Sequence, residues 1–333
     1  MEIKVPNLVS EVALSFCAEL EKINELEGET YYVDFANLHT CDPFPMLIVA
    51  NSIRHKRERL KHCLFYAKNV SHSYAKHMKF FRACGLGIGE PVEYSRGNSN
   101  YSCITKLSVK DLREEGWENC DVVQEVIEKK AKEMAKIVAQ GNEGFQKWLA
   151  YTIRELIRNI PEHSKSDTIW YCAQYWPSYD LVELAIMDEG IGIRDSLCEN
   201  YNHVSRIKCD ADAVKLALEP GISGARSASS FSQNEWDNSG YGLYVVSEMC
   251  AELDASFIIA SGDTAIRVKK ENGEIKHKKI STCIHGTALQ IRVRPSECVD
   301  YGEIMRKIVA QGEKIAKQNR FAVHVASKSS RGI

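Results

Sequence analysis

Apolar residues recur at helical spacing from Leu8 to Ile23, through Val12, Leu14, Phe16 and Leu20, and predict an amphipathic helix. Thr30 to Phe35 (TYYVDF) is rich in β-forming residues and predicts a strand. Pro45 to Arg57 predicts a second helix, with Met46, Leu47, Val49, Ala50 and Ile53 on its apolar side. Cys63 to Ala67 predicts a short strand, and Ser71 to Cys84 a helix closed by Gly85. Strand and helix patterns that alternate in this way predict a small α/β layer.

From Gly85 to Asn100 the chain concentrates Gly, Pro, Ser and Asn, which marks a domain boundary. Beyond it, Tyr101 to Val109 alternates like a strand. Helices are predicted over Val122 to Ala139 and Phe145 to Ile160, then strands over Thr168 to Tyr175 and Leu181 to Met187. A Gly-, Ser- and Asn-rich stretch from about Glu219 to Gly240 leads into a helix from Tyr241 to Leu253. Four strand patterns follow: Ala255 to Ala260, Ala265 to Lys270, Ile275 to Ser281 and Thr287 to Val293. Glu271-Asn272-Gly273 is a hairpin signal among them, and Ile304 to Lys317 predicts a closing helix. Helices followed by antiparallel strands predict a two-layer α/β sandwich rather than a parallel βαβ fold. The expected organisation is a small α/β domain over 1–95, a larger α/β domain over 101–295 and a C-terminal helix and tail over 296–333.

Composition narrows the function classes. The chain is 44% hydrophobic and 26% charged, with a formal net charge of -2, as in ordinary soluble domains. That charge gives no general attraction to nucleic acid. No apolar run approaches the roughly 18 residues that cross a bilayer, and no signal-peptide pattern opens the chain. A cytoplasmic protein with no membrane and no nucleic-acid partner is expected. The twelve cysteines include no CxxC pair, so they are expected to be reduced and buried as small hydrophobes.

Three short motifs carry candidate chemistry. Glu155 and Asn159 stand four apart at the end of a predicted helix, so both project from one face. A carboxylate there can activate a nucleophile, and an amide oxygen is a hard ligand for Mg²⁺. Asp188-Glu189-Gly190-Ile191-Gly192-Ile193 follows an apolar strand. Its acid can accept a hydrogen bond from an exocyclic amine, and its glycines let backbone approach a flat ring. Asn238-Ser239-Gly240-Tyr241-Gly242-Leu243 opens a helix, whose N-terminal N–H groups favour phosphate. Taken alone, the first is more often a solvated helix face. The second is as often a plain turn after a strand, and the third as often a glycine-capped loop.

Their order is more specific. ELIRN on a helix, DEGIGI after a strand, GYGL opening a helix and Gly286-Thr287 opening a strand together resemble the GHKL superfamily of ATP-binding domains. The wording ELIRNIPEHS is closest to the anti-sigma-factor kinases. The resemblance spans about Tyr101 to Val293 and implies a Bergerat fold holding Mg·ATP. Asn159 would then be the Mg²⁺ ligand and Glu155 the catalytic carboxylate. Asp188 would bind the adenine amine with Gly192 beneath the ring, and Gly240 and Gly242 would line the phosphates. Thr287 would support the adenine end. Gly190, Ile193 and Leu243 complete the implied nucleotide-binding set. Glu219 to Ser239 would form a lid, with Arg226 as a phosphate contact. One departure is Pro161, two residues after Asn159, which should kink or end the helix. His163 is expected to be a capping or surface histidine.

The N-terminal segment resembles a STAS-like domain more faintly. The residues are Val33-Asp34-Phe35 at a strand end, Asp42-Pro43-Phe44-Pro45 opening a helix and Cys84-Gly85-Leu86 closing one. The phosphorylatable serine of such domains is missing here, with only Thr40 nearby. The combined expectation is a Mg·ATP-dependent switch with slow hydrolysis, acting on a protein partner or as a homodimer. The alternatives are a serine kinase of anti-sigma type and a non-catalytic nucleotide-sensing module. No two-helix dimerisation segment with a phosphoacceptor histidine is apparent, which speaks against histidine autophosphorylation.

Overall fold

The structure is a computed structural model of the 333-residue chain and describes residues 1–23, 30–89, 100–224, 240–272, 274–297 and 301–327. Arg226, Asn238, Ser239, Gly273, Cys298 and most of the expected lid lie outside these residues.

The chain opens with β1 (Glu2–Lys4), α1 (Ser10–Lys22), β2 (Thr30–Asp34), α2 (Pro43–Arg59) and β3 (Leu64–Lys68). The three strands pair in parallel in the order β1-β2-β3. Parallel neighbours need long crossovers, and α1 and α2 supply them. Pro43 suits the first turn of α2, where its missing N–H removes no helical bond. From Pro43 to Ile53 every residue of α2 is buried. A helix apolar all round belongs between two layers, and α2 packs against α1 on one side and the large sheet on the other.

The helix expected from Ser71 to Cys84 is instead two short ones, α3 (Ser73–His77) and α4 (Phe80–Ala83). Lys79 breaks it in a left-handed conformation, φ 60°. The turn swings Phe80 and Phe81 edge-on to Phe35, at centroid distances of 5.7 and 4.9 Å, so aromatic burial overrides helical continuity.

The remainder builds a five-stranded antiparallel sheet. Its elements in order are β4 (Tyr101–Ser108), α5 (Val109–Asn119), α6 (Val123–Ala139), α7 (Glu143–Asn159), β5 (Thr168–Trp176) and β6 (Leu181–Asp188). Then come α8 (Gly192–Cys198), α9 (Tyr201–Val204), α10 (Asp210–Ala217), α11 (Gly242–Glu252), β7 (Ser256–Glu271), β8 (Glu274–Val293) and α12 (Tyr301–Ala316). The strand order is β4-β5-β6-β8-β7. The four strands expected between Ala255 and Val293 are two long ones. The chain bends at Gly262 without breaking, where the β7–β8 register shifts and the Asp263 N–H donates to Asp210 Oδ2 at 2.8 Å.

One face of the sheet carries α6, α7 and α11 over a core that includes Phe145, Trp148, Ile153, Ile186 and Val245. The other face is covered as well. Trp170, Cys172, Ala185, Met187, Ile258 and Ala288 join the core of the N-terminal layer, beside Leu14, Phe44 and Val49. The sheet is therefore sandwiched, and the expected 1–95 and 101–295 segments share one apolar layer. Among the described cysteines, Cys17, Cys41, Cys84, Cys103, Cys172 and Cys250 are buried and Cys120 is exposed. Among the described residues no helix is long and apolar enough to cross a membrane.

Candidate functional site

The site grows from the end of β6. Alternation along a strand sends Ile186 and Asp188 to the helical side and Met187 to the N-terminal side. Asp188 is 4% exposed and accepts the Gly190 N–H at 2.8 Å. Burial pushes its carboxyl up to about 6, against the opposing effect of hydrogen bonds from Gly190, Ser164 and the Thr287 backbone. The loop after it is tied down by Ser261, whose hydroxyl accepts the Ile193 N–H at 3.0 Å and donates to the Gly286 carbonyl at 2.8 Å.

A cavity open to solvent lies against this strand end. Asn159, Asp188, Gly192, Ile193, Gly240, Gly242, Leu243 and Thr287 all line it. Residues from α7, β6, α8, α11 and β8 thus meet at one wall. Two candidates stand apart. Gly190 contributes its N–H to Asp188 without lining the cavity. Glu155 lies behind Gly242: it is 1% exposed, and a Cβ on Gly242 would fall 2.7 Å from its Oε2. Arg154 holds the other oxygen, with Nη2 at 3.0 Å from Oε1, and reaches Glu128 Oε2 at 3.1 Å with Nη1. Glu155 Oε2 is buried with no hydrogen-bond partner among the described residues.

Pro161 acts as expected on the helix. α7 ends at Asn159, and the chain continues as a single π-helical turn, Ile160–Ser164. This turn places two residues in the cavity wall that periodicity does not single out, His163 and Ser164. His163 is half-buried, and burial depresses its pKa to about 4, so it is neutral at pH 7. Ser196, Ile222 and Ser223 also line the cavity. Their only sequence signal is their place between the DEGIGI and GYGL motifs.

α11 begins at this cavity, through Gly242 and Leu243. Tyr241 at its N-cap supplies no side-chain cap, and the first turn holds no acidic residue. The N–H groups of that turn are left without helical partners. Among the described residues that line the cavity none is Lys or Arg.

The opposite face of β6 grips α2 through two carboxylates. Glu183, fully buried, accepts the Phe44 N–H at 2.9 Å and lies 3.5 Å from Arg292 Nη1. Burial raises its carboxyl to about 7, and the nearby Asp42 charge adds to this. Glu189, just past the strand, accepts from Asn51 Nδ2 at 2.7 Å and from Trp170 Nε1 at 2.9 Å, and pairs with Arg54.

Away from the cavity, Glu21, Cys283 and His285 bring potential metal donors within 4.8 Å of one another. Glu21 is already paired with Arg59, and His285 Nε2 lies 3.6 Å from its other oxygen. Arg59 thus already holds one oxygen of Glu21. The chain matches no protein-family model, and no curated protein matches it.

Proposed function

We propose that this chain is a Mg·ATP-binding regulatory protein of GHKL type, built on a Bergerat fold, that works as a conformational switch with slow ATP hydrolysis. One observation carries the reading. Asn159 from the first sequence motif, Asp188, Gly192 and Ile193 from the second and Gly240, Gly242 and Leu243 from the third line a single cavity together with Thr287.

The parts fit the ligand. Asp188 offers a buried oxygen acceptor for an exocyclic amine, beside the Thr287 backbone. Ile193, Leu197 and Leu289 give an apolar wall for a flat base. The first turn of α11, which Tyr241 does not cap with its side chain, faces the cavity through Gly242 and Leu243, which suits phosphate oxygens. The Asn159 amide oxygen would hold Mg²⁺, whose role is to neutralise phosphate charge. Glu155 would orient water. Its pairing with Arg154 and its place behind Gly242 favour slow turnover over fast.

The test is thermal unfolding with ATP, ADP and Mg²⁺. Ligand that binds only the folded state stabilises it by mass action, so Mg·ATP at millimolar concentration should raise the midpoint, and Asp188→Asn should remove most of the rise. No rise with the unaltered chain sinks the reading. Glu155→Gln should retain the rise while hydrolysis falls about 100-fold, the loss expected of a general base.

A further inference from the structure

The cavity acid and the anchor of α2 are consecutive residues, Asp188 and Glu189, and the alternation of the strand sends them to opposite sides of the sheet. Asp188 lines the cavity. On the other side both oxygens of Glu189 are engaged. Asn51 Nδ2 and Arg54 Nη2 donate to Oε1, and Trp170 Nε1 donates to Oε2. Arg54 lies 4.2 Å above the Trp170 ring, and its Nη1 donates to the Ala83 carbonyl at 3.4 Å. One guanidinium therefore joins α2, the end of α4 and the loop that leaves the cavity.

The other end of α2 is held by the same strand, through Glu183 and the Phe44 N–H. A helix buried from Pro43 to Ile53 and fixed at two points, along β6 and just past its end, follows movement of that strand, because close-packed layers transmit displacement rather than absorb it.

We propose that Glu189 is a positioning residue that couples the cavity loop to α2, so that the N-terminal layer senses whether Asp188 is engaged by ligand. This rests on the nucleotide reading for the ligand, but not for the coupling itself. Linkage makes the effect reciprocal: whatever ligand does to the α2 clamp, the clamp does to ligand affinity by the same factor. The N-terminal layer is then the regulatory element of the site.

Hydrogen exchange read by mass spectrometry tests it on the full chain. With Mg·ATP, protection is expected to rise in the loop after Asp188 and in α2. In Glu189→Gln, which keeps the shape but loses the charge, it is expected to rise in the loop alone. An α2 response that persists in the variant overturns the proposal, as does a protected loop with an unresponsive α2 in the unaltered chain. Asn51→Ala, which removes a single donor to Glu189, is the second variant should Glu189→Gln fail to fold.

A ligand-free arm separates this from failure of the nucleotide reading. Asp188→Asn and Asn51→Ala, singly and together, are unfolded in urea. Their effects on the unfolding equilibrium should depart from additivity by more than about twofold. Additive effects overturn the coupling, whatever ATP does. Absent loop protection with ATP, combined with non-additivity, sinks the nucleotide reading and leaves the coupling standing.

Discussion

At Gly286 a single hydrogen atom decides the geometry of the site. Its φ is +88°, and a Cβ there would sit 2.2 Å from the Asp188 carbonyl oxygen, which belongs to rigid backbone. Only glycine allows β8 to approach the end of β6 so closely, and that approach brings the Thr287 N–H to the Asp188 carboxyl. Gly286→Ala is expected to cost about 2 kcal/mol or more, the sum of left-handed strain and a backbone clash. Urea unfolding measures it, and a loss below about 0.5 kcal/mol would mean the two strands part easily. At His163, in the cavity wall, burial acts on a charge instead. Burial keeps it uncharged to about pH 4, so its contribution to stability is present above its unfolded value of 6.5 and is lost as pH falls from there to about 4.

Among the elements, α11 would carry the heaviest electrostatic demand on the proposed reading. The described residues that line the cavity include neither Lys nor Arg, so among them phosphate charge would fall to the helix N-terminus and the cation. ATP binding is therefore expected to weaken at least about tenfold, or 1.4 kcal/mol, when Mg²⁺ is chelated, while adenosine binding is nearly unchanged. Calorimetric titration of both ligands with and without EDTA checks this. Loss of both alike would point instead to a structural metal. The grip of β6 on α2 predicts a pH effect. The folded pKa of Glu183 is raised to about 7 from 4.5. The stability it confers is thus present below pH 4.5 and lost as pH rises through about 7. Glu183→Gln lacks this titration, so its stability relative to the unaltered chain should improve by about 3 kcal/mol between those limits. A constant difference across the range would show that Glu183 stays ionised when buried.

The elements also show what the sequence made legible. α1, β2, β5, β6 and α12 follow strong apolar periodicity and are observed within a few residues of their expected bounds. α5 was not apparent: Val109, Leu112 and Gly116 are its only buried residues, and its start is set by the Ser108 hydroxyl accepting from Lys110 and Asp111. The short helices α8, α9 and α10 carry too few turns for a period to register. Of the cavity lining, Asn159, Asp188, Gly192, Ile193, Gly240, Gly242, Leu243 and Thr287 were legible from the motifs. His163 was not, because its position depends on a π-helical turn that no apolar repeat encodes.

On the scale of the whole molecule, the main feature is a sheet with no free face. Trp170, Met187, Ile258 and Ala288 pack beneath α1 and α2, so a chain that begins at Tyr101 would bare a contiguous apolar surface. Such a fragment is expected to self-associate and to bind a hydrophobic dye. Light scattering after size exclusion provides the measurement, and a monodisperse, dye-negative fragment would mean the two layers fold independently.

The alternation along β6 has a further consequence for how this chain can change over generations. Glu183 and Glu189 face α2, while Asp188 faces the cavity. Adding or deleting one residue inside the strand would exchange its two faces. The cavity would receive the anchor, and the buried helix would receive the acid meant for the cavity. Substitutions in β6 alter one role at a time, but a single-codon insertion or deletion there corrupts both. Length variation among descendants of this sequence should therefore collect at the β7–β8 tip near Asn272 and be excluded between Leu181 and Asp188.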